Sequence, residues 1–204
     1  MKLKNGEKAV KIARYTVDEW VKNKHCPERD EIESIFGLLS DEFIENRGCF
    51  VTINTYPEHE LRGCIGYPEP VLPLYKALVE SAISACNDPR FPPLRREELD
   101  NIVIEVSVLT KPELIKVKDP REYPKVIKIG KDGLIIEKGF RSGLLLPQVA
   151  TENNMDAKEF LLHLCLKAGL PYTAWIDPDT KIYRFSAEIF SEEKPRGKVV
   201  KKEI

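Results

Sequence analysis

The stretch CFVTINTYPEHELRGCIG, Cys49–Gly66, decides the fold of this chain. Cys49–Thr55 is β-branched and aromatic, YPEHE supplies a turn, and LRGCIG resumes an extended pattern, so the stretch reads as a β-hairpin. If the turn pairs Thr55 with Leu61, then Arg62 and Cys64 stand opposite Asn54 and Thr52. Side chains alternate across a strand, which puts Arg62, Cys64, Thr52 and Asn54 on one face and Val51, Ile53, Leu61 and Ile65 on the other. The second face is core. The first is a polar patch holding a thiol and a guanidinium. Gly63 and Gly66 mark places where another backbone, or a ligand, comes close.

Working outward, Ala9, Ala13, Val17 and Trp20 recur at helical spacing and predict an amphipathic helix that stops before Pro27. Pro73 opens a second helix whose buried face is Leu74, Leu78, Ala82 and Ala85, and Pro89 ends it at Asn87 and Asp88. FPPL then forces a stiff extended segment. NIVIEVSVLT is a strand with Ile102, Ile104, Val106 and Val108 on one face and Val103, Glu105, Ser107 and Leu109 on the other. A short β segment near Ile115 precedes the loop DPREYP, and VIKIGKDGLIIEKGFRSGLLL reads as a three-stranded meander with two glycine turns. Asp156 with Glu159 suits a capping box, Phe160, Leu161, Leu164, Cys165 and Ala168 make the stripe behind it, and Gly169 with Pro171 ends that helix. KIYRFSAEIF is the last strand expected. Residues 192–204 are charged, lack a pattern and are expected to be mobile. Strands and helices neither alternate strictly nor segregate into blocks, so the class is α+β, with mixed or antiparallel sheets and flanking helices.

Composition bounds the function. A chain of 204 residues with 42% hydrophobic content buries a real core as one large domain or two small ones. Its 32% charged content beside a single glutamine, Gln148, matches compositions selected at high temperature. A net charge of -1 gives no global field for nucleic acid or anionic membranes. MKLKNGEKAVKIARY lacks the apolar run of a signal peptide and no window approaches a membrane span, so a cytoplasmic location is expected. The five cysteines form no CxxC pair and the three histidines show no ligand spacing, so no metal, cofactor or disulfide framework is expected.

The polar face of the hairpin is the candidate site. A nearby cation favours a thiolate, so Arg62 beside Cys64 meets the physical condition for a reactive cysteine. On pattern alone the structural alternative weighs more: a strand cysteine is usually a small buried hydrophobe, and Arg62 would be expected to pair with Glu105. CNDPRFPPL adds Asp88 and Arg90 on a rigid loop after the second helix, as binding sites often are, although a helix cap and a surface charge explain them equally. Gly130 to Gly133 matches the Gly-x-x-Gly core of KH nucleic-acid-binding domains, but β-patterned runs flank it, which favours a turn. The lysines and Arg196 at the C-terminal end are interspersed with glutamates and read as a solvated end.

The segments GCFVT, LRGCIG, NDPRFPPL, IEVSVL, GLLLPQVA and FLLHLCLKAGL, in that order, resemble the AMMECR family, named for the Alport syndrome, mental retardation, midface hypoplasia and elliptocytosis candidate-region protein. The likeness runs from about the first helix to YRFSAEIF. It implies one AMMECR-type domain over residues 1–191, made of a larger and a smaller α+β subdomain separated by a cleft near LRGCIG, followed by the tail. It carries Arg62 and Cys64 over as site residues by position, without a role. It brings no settled activity, but links many prokaryotic members with Memo-like and radical-SAM proteins.

Two functions follow as expectations. In the first the chain is an enzyme in which Cys64 is the nucleophile, Arg62 activates it or binds a small anionic substrate, Asp88 or Glu105 serves as acid, base or orienter, and Thr52, Asn54, Gly63, Gly66 and Arg90 bind. In the second it is a non-catalytic module whose LRGCIG segment is the floor of a site for a partner protein or small anion. RNA binding is disfavoured by charge and by the lack of an aromatic-basic surface.

Overall fold

A computed structural model describes residues 1–202. The described chain forms two compact units, one of Met1–Leu109 together with residues 188–202, the other of Thr110–Ala187. The first unit opens with α1 (Leu3–Asn23), α2 (Arg29–Phe36) and α3 (Asp41–Ile44), then β1 (Cys49–Thr55), β2 (Leu61–Tyr67), α4 (Leu74–Cys86) and β3 (Ile102–Leu109). The second contains β4 (Glu113–Leu114), α5 (Tyr123–Val126), β5 (Gly133–Lys138), β6 (Arg141–Leu145), α6 (Pro147–Glu152), α7 (Ala157–Lys167) and β7 (Lys181–Phe185). The chain returns to the first unit as β8 (Ala187–Glu192) and β9 (Val199–Lys202). The first unit's sheet has the order β2-β1-β3-β8-β9, the second's β4-β7-β5-β6, and the fold class is α+β.

The apolar patterns bury as read. Ala9, Ala13 and Val17 of α1, Leu74, Leu78 and Ala82 of α4, and Val51, Ile53, Ile104, Val106 and Val108 of the sheet are fully buried in one core cluster. In the second unit Leu134, Ile136 and Ile182 of the sheet meet Phe160, Leu161, Leu164 and Cys165 of α7. The Asp156 capping box is present, its carboxylate accepting from the Lys158 and Glu159 amides.

Several expectations change. The hairpin register carries a bulge: Thr52 faces Cys64 and Ile53 faces Gly63, but Asn54 faces Leu61, which leaves Arg62 as the extra residue. Arg62 is therefore not opposite Asn54, and Leu61, expected in the core, is exposed. DPREYP is not a simple loop but a 3-10 turn, Pro120–Glu122, running into α5. The meander has only β5 and β6 within its stretch; its third strand is β7, from much later in the chain, because residues 128–132 close a turn onto the Lys128 carbonyl instead of extending. KIYRFSAEIF divides after Phe185 between the two sheets. The charged end is no patternless tail: Gly197 donates back to the Lys194 carbonyl, and residues 199–202 pair with β8. Its lysines hid the strand, since Val199 is the one residue of β9 buried. Residues 203 and 204 of that stretch lie outside the described residues.

One buried polar network ties the returning strand to the N-terminal helix. Arg14 of α1 donates Nε to Glu192 Oε1 at 3.0 Å and Nη2 to the Ile102 carbonyl at 2.7 Å, and Glu192 Oε2 accepts from the Ile104 amide at 3.0 Å. Both side chains are almost wholly buried, so removing one partner strands a charge in the interior. Glu192→Ala should cost about 3 kcal/mol of stability in denaturant unfolding, the scale of a broken buried pair. A loss under about 1 kcal/mol, typical of surface pairs, would show that the network does not hold the strand.

Candidate functional site

Helix α4 comes down onto β2 at Gly63. A Cβ built on Gly63 would stand 2.3 Å from the Ala85 carbonyl oxygen, and one on Gly66 would stand 2.2 Å from the Cys49 carbonyl oxygen, so both glycines are places where only a hydrogen fits. The close approach at Gly63 carries the loop after α4 directly to the outer edge of β2.

That edge is where Cys64 lies. Strand β2 is the last in its sheet, so the Cys64 amide and carbonyl point away from β1 and need partners. Asp88 and Arg90 supply them. The Cys64 amide donates to Asp88 Oδ2 at 2.9 Å, and Arg90 Nη2 donates to the Cys64 carbonyl at 3.2 Å. The two side chains also bind each other, Arg90 Nη2 donating to Asp88 Oδ2 at 2.7 Å and Arg90 Nε to Oδ1 at 3.0 Å. Together they imitate the strand that is missing. Asp88 is only 2% exposed, and the Arg90 hydrogen bonds, against the opposing effect of burial and with help from the Cys64 amide, hold its carboxyl well below the usual carboxylate range. It is a fixed anion, suited to positioning and unsuited to carrying a proton near neutral pH.

Arg62 is engaged by an acid. Its Nε donates to Glu98 Oε1 at 2.7 Å and its Nη2 to Glu98 Oε2 at 3.1 Å, a two-point pair. Burial pushes Glu98 up, but Arg62 and the Arg95 amide outweigh it, and the carboxyl is held low. The expected partner Glu105 is elsewhere: it faces Thr52 in the register and accepts from Lys202 Nζ at 2.6 Å. The Arg62 and Arg90 guanidiniums lie 6.0 Å and 5.7 Å from the ring centroid of Phe91.

Around the thiol, Thr52 donates Oγ1 to Cys64 Sγ at 3.2 Å. The row Cys64, Thr52, Glu105 therefore runs across neighbouring strands on one face, with Asn54 further along β1 beside the bulge. Cys64 is half-buried. Of the other thiols, burial pushes Cys49 and Cys86 up to about 12 and raises Cys165, while burial and then Glu80 raise Cys26. Among the described residues no group of three or more His, Cys, Asp and Glu is arranged to hold a metal ion. No helix among them is long and apolar enough to cross a membrane. The Gly130 to Gly133 turn runs from α5 into β5, not between two helices.

The structure thus brings together Cys64, Thr52, Gly63, Asp88 and Arg90, and pairs Arg62 with Glu98 and Glu105 with Lys202. Sequence reasoning missed Glu98 and the role of Phe91. Phe91 stands inside a quoted motif, whereas nothing local marks which of the acids in RREELD will reach Arg62.

The AMMECR1 family model matches residues 10–190. The chain belongs to the AMMECR1 family. Protein MJ0810 of Methanocaldococcus jannaschii is 55% identical over 203 residues, covering 99% of this chain and 97% of that protein. Protein PYRAB00100 of Pyrococcus abyssi is 51% identical over 98% of this chain and 96% of its own length. The crystal structure of the uncharacterized protein PH0010 from Pyrococcus horikoshii superposes with a TM-score of 0.72 at 49% identity, covering 98% of this chain and 97% of that one. These relatives carry no functional name, so within the AMMECR1 family the site must be read from its chemistry.

The Asp88 clamp makes a pH prediction. Its folded pKa is depressed, so its contribution to stability is present above the unfolded value and is lost as the pH falls toward the folded one. Asp88→Asn should cost about 2 kcal/mol at neutral pH, the scale of hydrogen bonds to a charged group. The gap between wild type and variant should persist above about pH 5 and shrink below about pH 4. A gap that does not change with pH would mean that the charge is not what holds the loop.

Proposed function

We propose that the β2 edge is the rigid floor of a binding site and that the chain acts by binding a partner protein or a small anion, not by thiol catalysis. The observation that supports this reading is the occupation of the charged groups. Arg62 is matched by Glu98, and Asp88 by Arg90 and the Cys64 amide. A nucleophilic cysteine needs a base or a free cation to hold its thiolate. The cation expected for that task is already neutralised. His59, the one histidine of the hairpin, sits in the turn with its ring edge-on to Tyr56 at 5.9 Å. The Arg90 side chain, although bonded to Asp88, is 55% exposed beside Phe91 and presents the outer side of its guanidinium to a ligand. The resemblance offers Memo-like and radical-SAM proteins as the macromolecular partners.

One observation favours the thiol reading: Cys64 is only half-buried, whereas Cys49, Cys86 and Cys165 are buried. Both readings meet in one experiment. Thermal-shift titrations with anionic metabolites and a purified Memo-like protein should stabilise wild type and Cys64→Ala alike, and Arg90→Ala less. Native-state alkylation at a fixed pH should label Cys64 no faster than the exposed Cys26, and labelling of Cys64 well ahead of it would favour the thiol reading. If Cys64→Ala abolishes a response that Arg90→Ala preserves, the binding reading falls and the thiol is chemical.

A further inference from the structure

We infer that the outer edge of β6 in the second unit is a docking edge that accepts an extended peptide segment of a partner protein as an added strand, with a carboxylate of that segment on Arg141. This surface is separate from the β2 site and does not depend on its reading.

The argument begins with the exposed edges. Each sheet has two, and an open edge invites pairing unless something blunts it. Strand β2 is closed by Asp88 and Arg90 on Cys64. Strand β9 carries Lys201 and Lys202, and β4 is two residues long. Strand β6, RSGLL, has neither a lysine nor a proline within it, and no hydrogen bond onto its outer backbone is recorded among the described residues.

The register shows which groups face out. The Ile115 amide donates to the Ile182 carbonyl, so Ile182 points toward β4 and not toward β5. Its partner Ile136 therefore points toward β6 and bonds with Gly143. Alternation then directs the amides and carbonyls of Ser142 and Leu144 outward. Two residues spaced by two, each presenting a donor and an acceptor, are what an incoming strand requires.

The surroundings identify the occupant. Arg141 stands exposed at the start of the strand, bonded to the Gly169 carbonyl and to no carboxylate among the described residues. Phe140, at the hairpin tip, is fully exposed. Beside it a depression of about 540 Å³ is lined by Lys138, Gly139, Phe140, Arg141, Leu170 and Asp179. Lys138 is already paired with Asp177, and among the described residues no ion pair joins Arg141 to Asp179, the one acid in the lining, so Arg141 is the unmatched cation there. An acidic side chain opposite Arg141 and an apolar one against Phe140 complement this end.

A second copy of the chain fits poorly. Helix α7 ends over β6 so closely that a Cβ on Gly143 would stand 2.7 Å from the Ala168 nitrogen. Pairing β6 with its own copy across a two-fold axis would place two such helix ends over strands about 4.8 Å apart. Packed helices need about 8–10 Å between axes. A lone extended segment brings no helix with it.

The test uses the full-length chain and random seven-residue peptides displayed on phage, the enriched peptides then being synthesised. Enriched peptides should carry Asp or Glu and an apolar residue. Their binding should weaken about tenfold or more when alternate backbone nitrogens are methylated and change little when the intervening ones are, because only alternate amides reach the edge. Ser142→Pro removes an outward donor at an edge position where proline is tolerated, and should weaken binding similarly with an unchanged melting temperature. Arg141→Glu leaves the backbone intact and should reverse the charge preference of the selected peptides, which keeps the test decisive if the proline variant misfolds. Failure to enrich any peptide, indifference to both methylation patterns, or selection unaffected by Arg141→Glu would overturn the inference. So would a wild-type dimer that Ser142→Pro converts to monomer, since that places a second copy on the edge.

Discussion

The approach of α4 to β2 at Gly63 is the constraint on which the candidate site depends. With the Ala85 carbonyl 2.3 Å from the place of an absent Cβ, a larger residue enters only by forcing the helix end back and loosening the core beneath it. The loop after the helix starts from that contact. Pro89, Pro92 and Pro93 stiffen it, so Asp88, Arg90 and Phe91 are delivered to fixed positions along the edge of the strand. The conformational freedom of these side chains is given up in folding and need not be lost again on binding, which is the advantage of a preorganised surface.

Charge satisfaction then decides what the surface can do. A buried carboxylate that accepts from a guanidinium and two backbone amides is stable as an anion and contributes geometry. A guanidinium held at two points by Glu98 has its charge largely offset by that carboxylate. The residues that looked like a catalytic set are thus partners of the fold, and under the binding reading proposed above recognition falls to Arg90 and Phe91. The contrast with β6 follows the same logic: where β2 has its edge groups satisfied internally, β6 leaves them for another chain.

Much of the fold was legible because burial imposes period. The stripe on α1, the face of α4, the alternation along β3 and the Asp156 capping box all follow from helical or strand spacing, and each lies where its pattern places it. The failures share a cause too. The bulge at Arg62 adds one residue to a hairpin whose apolar pattern allows either register, so the face of Leu61 was misread. The division of KIYRFSAEIF between sheets falls at Ser186, inside an extended run with no glycine or proline to mark a break. Strand β9 is hidden by its lysines, which serve as edge protection and ion-pair partners for Glu188 and Glu105. Cys64, Thr52, Asp88 and Arg90, which local pattern singles out, lie together in the structure, whereas the Arg62–Glu98 pair joins residues 36 positions apart that only the folded chain brings together.

The account rests on Asp88 closing the β2 edge because Gly63 lets α4 approach. Hydrogen exchange at the Cys64 amide measures this directly. The amide should exchange as slowly as those of the buried strand β1 in the wild-type chain, and much faster in a folded Gly63→Ala variant, in which the added methyl pushes the helix end and Asp88 away. Rapid exchange in the wild type, or equal protection in the two proteins, would contradict the account.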